Sequence, residues 1–488
     1  MPARPVAAPD SIASRVTEFR LLNGMQFLIL ERHQAPVVAL VLHVNAGAVQ
    51  DPRGATGVAH LLEHMAFKGT SAIGTRDYDL EFPALENADR AYKALRSEQN
   101  KGNRADRNTL ENLQRAFSEA SAKADSFAVT NALSGIVTKA GGRDFNASTG
   151  MDKTTYTLRL PSNEVELWFL IQSERLLDPV MREFYKERSV VIEERRLFES
   201  QPSGRITEAL QSSAYRAHPY RDPVVGHVSD LEALSRQACE AFFRQHYVPR
   251  NLIAVLVGDL APQHVRTLAE KYFGRLPDGV PSPPFETVEP AQNDERRVVL
   301  PLESQPVLEM AFHRPGASDP DCAVYEVLYS LLAEGNASRL HRDLVSERHI
   351  AAEVGGLPNF PGEHYPSLFV LEVLPAPGHS TQEAENALGE QLAMLRTGLV
   401  DIHELEAVKQ RLRGRLTRGL HSSLSLAIAL ADAQAFTGDW RNYFRRIEQI
   451  EAVTPSDIQR VARSTFRRLN RTTVTVEPRA TFNEEAGK

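Results

Sequence analysis

Cysteine is almost missing from this chain: its 488 residues include two, Cys239 and Cys322. Two thiols in different halves support neither a disulfide framework nor a cysteine metal cluster, and they do not fix the compartment. Also missing is any uninterrupted apolar run long enough to cross a bilayer. There is no basic excess either. A net charge of −7 lacks the cationic face that displaces counterions, so general nucleic-acid binding is excluded as a class. The opening residues, MPARPVAAPDSIASR, lack the apolar core of an intact signal peptide. Residues 1–15 therefore read as a disordered leader, either a cytosolic start or the mature end of an exported protein with a start Met added.

What is there belongs to a soluble globular chain, and its length calls for two or more domains. Internal similarity gives the division. Ala35-Pro36-Val37-Val38-Ala39-Leu40-Val41-Leu42-His43 reads as a buried strand, and Gln305 to His313 repeats its length, its Pro-Val start and its His end. YVPRNLIAVLVGD, from Tyr247, resembles FRRLNRTTVTVEP, from Phe466, each with an Asn ahead of an apolar strand. Two matches in the same order indicate a duplicated unit. The first pair is offset by more than the second, so the first half carries an insertion of about 50 residues.

The segment of about 78–130 accounts for it. Leu85, Ala88, Tyr92 and Leu95 recur at three-four spacing, as do Leu110, Leu113, Phe117, Ala120, Ala124 and Phe127 beyond the polar turn NKGNRAD. The spacing predicts an antiparallel helical hairpin, either a surface decoration or a partner-binding or gating arm. Elsewhere alternating strands mix with amphipathic helices such as Val165 to Leu177 and Glu404 to Leu420, an α+β pattern. The expected plan is two homologous α/β sandwich domains, an N-terminal one over 16–276 and a C-terminal one over 295–480. A proline-rich linker over 277–294 joins them, and 481–488 form a tail.

The strongest local pattern is Gly57-Val58-Ala59-His60-Leu61-Leu62-Glu63-His64-Met65-Ala66-Phe67-Lys68-Gly69. On a helix, His60 and His64 sit one turn apart and can converge on one ion. Glu63 lies beside them, able to act on a metal-bound water without being a ligand, and Gly69 suits a helix C-cap. This is H-x-x-E-H, the inverse of H-E-x-x-H. A catalytic zinc site needs a third protein ligand and an open position. A second helix, REFYKERSVVIEERRLF from Arg182, offers Glu187 and Glu194 on one face, although spacing alone does not select them.

HLLEHMAFKGT followed far downstream by ERSVVIEE resembles the pitrilysin/insulinase family of inverzincin zinc metallopeptidases, here a bacterial member similar to processing peptidases. NASTGMDKTTYTLRLP, HPYRDPVVG, YVPRNLIAVLVGDL and GNASRLHRDL match in order over nearly the whole chain. The resemblance implies one zinc ion per chain on His60, His64 and Glu194, with Glu63 as general base and Glu187 supporting the site. It implies that Asn146, Ala147, Ser148 and Thr149 form the edge strand that aligns a peptide or unfolded polypeptide. Many relatives supply an Arg and a Tyr, seven apart, from the C-terminal half. The matching positions here are Val345 and Ala352, and the second half has no H-x-x-E-H near Ser330 to Glu334. That departure implies a homologous zinc-free partner subunit supplying the pair, or a homodimer. The expected function is zinc-dependent endopeptidase, with a non-catalytic scaffold or subunit of a peptidase-like heteromer as the alternative. Similar bacterial proteins point to the periplasm; the cytoplasm is the alternative.

Overall fold

The computed structural model describes residues 12–280, 283 and 285–478. Two mixed sheets organise an α+β molecule. The first contains β1 (Val16–Arg20), β2 (Gln26–Glu31), β3 (Val37–Val44), β4 (Arg143–Thr149), β5 (Thr154–Pro161) and β6 (Leu252–Gly258), in the order β1-β2-β6-β3-β5-β4. The second contains β7 (Arg296–Leu302), β8 (Val307–Arg314), β9 (Ala351–Phe360), β10 (Ser367–Pro375) and β11 (Arg471–Pro478), in the order β7-β11-β8-β10-β9. Without β1, the sheets share one order and one pattern of directions. The first pair of each, β2 with β6 and β7 with β11, is parallel, and every other pairing is antiparallel. The two sequence repeats fall on equivalent strands, β3 with β8 and β6 with β11.

The helices that position the site are α1 (Val58–Met65), α2 (Tyr78–Gln99), α3 (Arg107–Asp125), α4 (Phe184–Ser200), α5 (Pro202–Ala214), α6 (Cys322–Leu332) and α7 (Ser423–Thr437). One face of each sheet packs on helices of its own half. The other face is covered by a helix from the opposite half. Leu426, Ala427, Leu430 and Ala431 of α7 cluster with Leu28, Leu30, Val41, Ile253, Val255 and Val257 of the first sheet. Ile206, Leu210 and Ala214 of α5 cluster with Val307, Ala311, Leu368, Val370, Val474 and Val476 of the second. Burial on both faces explains why β3 and β6 read as continuous apolar runs and not as alternating ones. The His ending each repeated strand meets the exchanged helix. His43 is fully buried with Nδ1 3.6 Å from Asp432 on α7, and His313 Nε2 lies 2.9 Å from the Ala214 carbonyl that ends α5.

The helical hairpin is α2 and α3, and its inner face is packed down. Tyr92 and Phe117 meet Tyr185 of α4 at ring-centroid distances of 4.7 and 5.0 Å, and the Tyr185 hydroxyl donates to Asp89 at 2.9 Å. Glu81 is fully buried against Arg182, whose Nε donates to it at 2.8 Å.

Two sequence expectations are corrected. Ile12, placed in the leader, is 6% exposed and sits in the cluster that α7 forms with the first sheet, because an apolar side chain beside that seam gains by leaving water. Residues 1–11 and the tail over 481–488 lie outside the described residues. Gly69 does not cap α1: the helix stops at Met65 with Ala66 as its cap residue, and Gly69 serves the turn beyond with φ +94°, where a Cβ would meet the Ile73 carbonyl at 2.2 Å. The linker shows no regular structure over its described residues. Its Glu289 nonetheless accepts from the amides of Arg216, Ala217 and His218 at 2.9 to 3.0 Å, which ties it to the first half.

Candidate metal centre

Helix α1 is short, so its placement depends on what holds its sides and its start. Val58, Ala59, Leu61, Leu62 and Met65 are each no more than 2% exposed. At roughly 1.5–3 kcal/mol per large buried side chain, Leu61, Leu62 and Met65 fix the roll of the helix and leave one face for polar residues. Its first amides have no local cap, since Gly57 offers no side chain and takes φ +87°. Asp51 supplies the acceptor instead, from Gly57 N at 2.6 Å and Ala59 N at 3.0 Å. Burial raises the Asp51 carboxyl to about 8, and these two backbone hydrogen bonds oppose that rise.

On the polar face, the rings of His60 and His64 lie 4.9 Å apart. Glu194, from the middle of α4, places one oxygen 3.8 Å from His60 Nε2 and the other 3.8 Å from His64 Nε2. The three donor atoms all lie within 4.8 Å of one another, the only such cluster among the described residues. Neither contact is short enough to be a hydrogen bond. Tetrahedral ligands at about 2.1 Å from zinc sit about 3.4 Å apart, so donor atoms within 4.8 Å of one another draw together to hold one. Two imidazoles and a carboxylate are a catalytic zinc donor set with one position left for water or substrate. Burial holds the His60 imidazole down at about 4, so at neutral pH it keeps a lone pair to donate. The donors fit a zinc ion.

Glu187 stays outside this trio. Its carboxylate lies 3.6 Å from His64 Nδ1, on the far side of the ring from Glu194, and accepts from Lys68 Nζ at 2.6 Å. His64 first, and then Lys68, pull the Glu187 carboxyl down to about 2, and Glu187 raises the imidazole in turn. A carboxylate behind a histidine ligand fixes its ring orientation and the nitrogen it presents. Behind Lys68 stands Arg182, 1% exposed, with all five guanidinium donors engaged. They go to both oxygens of Glu81 and to the carbonyls of Lys68, Thr70 and Ile73. One side chain thus joins the hairpin, the turn after α1 and the start of α4.

Glu63 points along the same face. The Thr149 hydroxyl donates to its Oε2 at 2.7 Å. Burial raises the Glu63 carboxyl and the Thr149 hydrogen bond opposes that. Asn146, Ala147, Ser148 and Thr149 lie on β4, the last strand of the first sheet, with Asn146 and Ser148 exposed. In the second half, Val345 packs against the core and Ala352 is exposed on β9. Sequence reasoning did not find Asp51, Lys68, Arg182 or the hydroxyl link from Thr149. Lys68 stands inside the motif, but nothing in a linear pattern says which carboxylate a lysine will reach.

Residues 26–95 and 113–227 match the insulinase family, peptidase family M16, and residues 233–412 match the peptidase M16 inactive domain. The break at 96–112 falls on the tip of the helical hairpin. The zinc protease PqqE of Helicobacter pylori is 24% identical over 94% of this chain and 92% of its own length. An uncharacterised zinc protease of Bacillus subtilis, YmxG, is 20% identical over 92% and 96%. Among solved structures, a protease from Helicobacter pylori superposes with a TM-score of 0.79 at 23% identity, covering 95% of this chain and 99% of that one. The first half of the periplasmic protease PqqL from Escherichia coli gives 0.71 at 17% identity, covering 96% and 92%. The matched families span most of the chain and include the H-x-x-E-H helix and the helix that carries Glu194: the chain belongs to the peptidase M16 family of insulinase and pitrilysin.

Proposed function

We propose that this chain is a zinc-dependent endopeptidase for peptides or unfolded polypeptides, holding one zinc ion on His60, His64 and Glu194. The observation that carries the reading is the meeting of two helices, distant in sequence, at three donor atoms within 4.8 Å. Zinc bound there supplies Lewis acidity, polarising the scissile carbonyl and acidifying water. Glu63 takes the proton of the attacking water and returns it to the departing amine nitrogen. The Thr149 hydroxyl holds the Glu63 carboxylate in place for both transfers. Glu187 orients His64 from behind. Substrate lies along β4, whose outer edge adds an extended peptide as one more strand through main-chain hydrogen bonds, with little demand on its sequence.

Val345 and Ala352 carry neither a guanidinium nor a phenol, so a homologous zinc-free partner subunit supplies the Arg and Tyr; the alternative is a homodimer, which works without that pair. The compartment proposed is the periplasm, as for PqqL. No helix among the described residues is long and apolar enough to cross a membrane. The test pairs elemental analysis with cleavage of a quenched peptide, using Glu63→Gln as control. One zinc per chain, with turnover lost in the control, is expected. Wild-type protein that binds zinc but cleaves nothing, alone or with a homologous partner, sinks the peptidase reading in favour of a scaffold.

A further inference from the structure

Strand β4 ends at Thr149, and a four-residue turn, Gly150 to Lys153, leads into β5. Gly150 N donates to the Lys153 carbonyl at 2.8 Å and closes the turn. On one side it abuts the segment that leads to α1. Ala48 N donates to the Gly150 carbonyl at 3.1 Å and Val49 N to the Met151 carbonyl at 2.9 Å. The approach is so close that a Cβ on Gly47 would meet the Gly150 carbonyl at 2.4 Å. Asp51, the remote cap of α1, follows directly.

On its other side the turn is gripped by the second half. Asp152 accepts from Glu363 N at 2.8 Å and His364 N at 3.1 Å, and the Tyr220 hydroxyl of the first half adds a third donor at 2.6 Å. Here too only glycine fits, since a Cβ on Gly362 would come within 2.6 Å of the Asp152 carboxylate. Lys153 pairs with Asp432 of α7, and its ammonium lies 5.6 Å from the Phe436 ring centre. Thr149 is therefore the last residue of a strand whose end is fastened to the half without the metal motif.

We propose that the second half acts on the metal site as a positioning element through this turn. Asp152 and Lys153 are positioning residues that set the Thr149 hydroxyl, and Thr149 sets the Glu63 carboxylate. The inference rests on the peptidase reading above and adds that the duplicated half serves catalysis without touching substrate. A displacement of about 1 Å in a reacting group costs on the order of a hundredfold in rate, so a loosened turn registers in turnover before binding.

The experiment uses the full-length, zinc-loaded chain. Thr149→Val, Asp152→Ala and Lys153→Glu should each lower kcat about tenfold, with KM within about twofold and zinc content unchanged. Thr149→Ser, which keeps the hydroxyl, should restore most of kcat. Thr149→Val combined with Asp152→Ala should be no worse than the poorer single variant, because both act on one link. The exchanged pair Lys153→Asp with Asp432→Lys should recover what Lys153→Glu loses. Independent effects in the double variant, wild-type kcat in the singles or no recovery in the exchanged pair each overturn the coupling. Should Asp152→Ala not fold, the exchanged pair decides, since Lys153 and Asp432 are partly exposed. A second readout does not need activity: the visible spectrum of the cobalt-substituted chain should shift in the same way in Thr149→Val and Asp152→Ala. An unshifted spectrum in Asp152→Ala overturns the coupling even if the peptidase reading itself has failed.

Discussion

Helix α1 follows β3 in the first half, and helix α6 follows β8 in the second, at equivalent places in sheets of one topology. Apart from Glu326 and Tyr329, every residue of α6 is buried, and its tally is apolar but for Ser330. Helix α1 has the same apolar flank but turns His60, Glu63 and His64 to its other side. An apolar helix asks only for volume. A helix carrying three ionisable groups asks for a partner at each, because unpaired buried polar groups cost about 1–3 kcal/mol apiece. The first half meets that demand with Glu194 and Glu187 from α4, Thr149 from β4, Asp51 at the helix start and a hairpin that braces α4. The duplicated scaffold is common to both halves; the supporting groups are present in one.

The broadest way to break this comparison is to separate the halves. Residues 12–276 and 295–478, expressed apart, each lose the helix that covers one sheet face. Neither should show a cooperative unfolding transition, while the mixture should recover one. Soluble, cooperatively folding single halves would refute the mutual dependence. Next in size comes the chemistry. Glu63→Gln should lower peptide turnover about a thousandfold with zinc retained, whereas His60→Ala or Glu194→Gln should lose zinc as well; turnover and elemental analysis separate the two classes. The brace follows. Glu81→Gln leaves Arg182 buried without its carboxylate and should cost about 3–5 kcal/mol in urea unfolding, and more than the same change at exposed Glu111.

The smallest effect concerns the paired histidines of β3 and β8. Burial holds His43 at about 4 against an ordinary value of 6.5. The unfolded chain therefore binds a proton that the folded chain refuses between those values. Stability should be full above pH 6.5 and fall towards pH 4, by on the order of 2–3 kcal/mol for this residue. Unfolding of the metal-free chain at pH 7 and pH 4.5, compared with His43→Gln, isolates the contribution. An unchanged slope in the variant would mean that other groups govern acid sensitivity.

Much of this was legible without coordinates. The strands β3 and β8 were visible as matching apolar runs, and α1 as an apolar flank with His60 and His64 one turn apart. The hairpin could be read from the stripes Leu85–Leu95 and Leu110–Phe127. Each is a short-range pattern, and helical or strand periodicity writes it directly into the order of residues. Glu194 needed a family resemblance, because a carboxylate on an amphipathic helix looks the same whether it faces water or a metal. The exchange of α5 and α7 between the halves had no local mark at all.

The sequence alone determined the duplicated plan and the helix that carries His60, Glu63 and His64, since backbone periodicity and side-chain chemistry suffice for those. Only the tertiary structure decided that Thr149 holds Glu63, that Arg182 closes on Glu81, and that Asp152 and Lys153 fasten the strand end to the opposite half. Those contacts join segments far apart along the chain, and which donor finds which acceptor depends on how two packed sheets bring them within 3 Å.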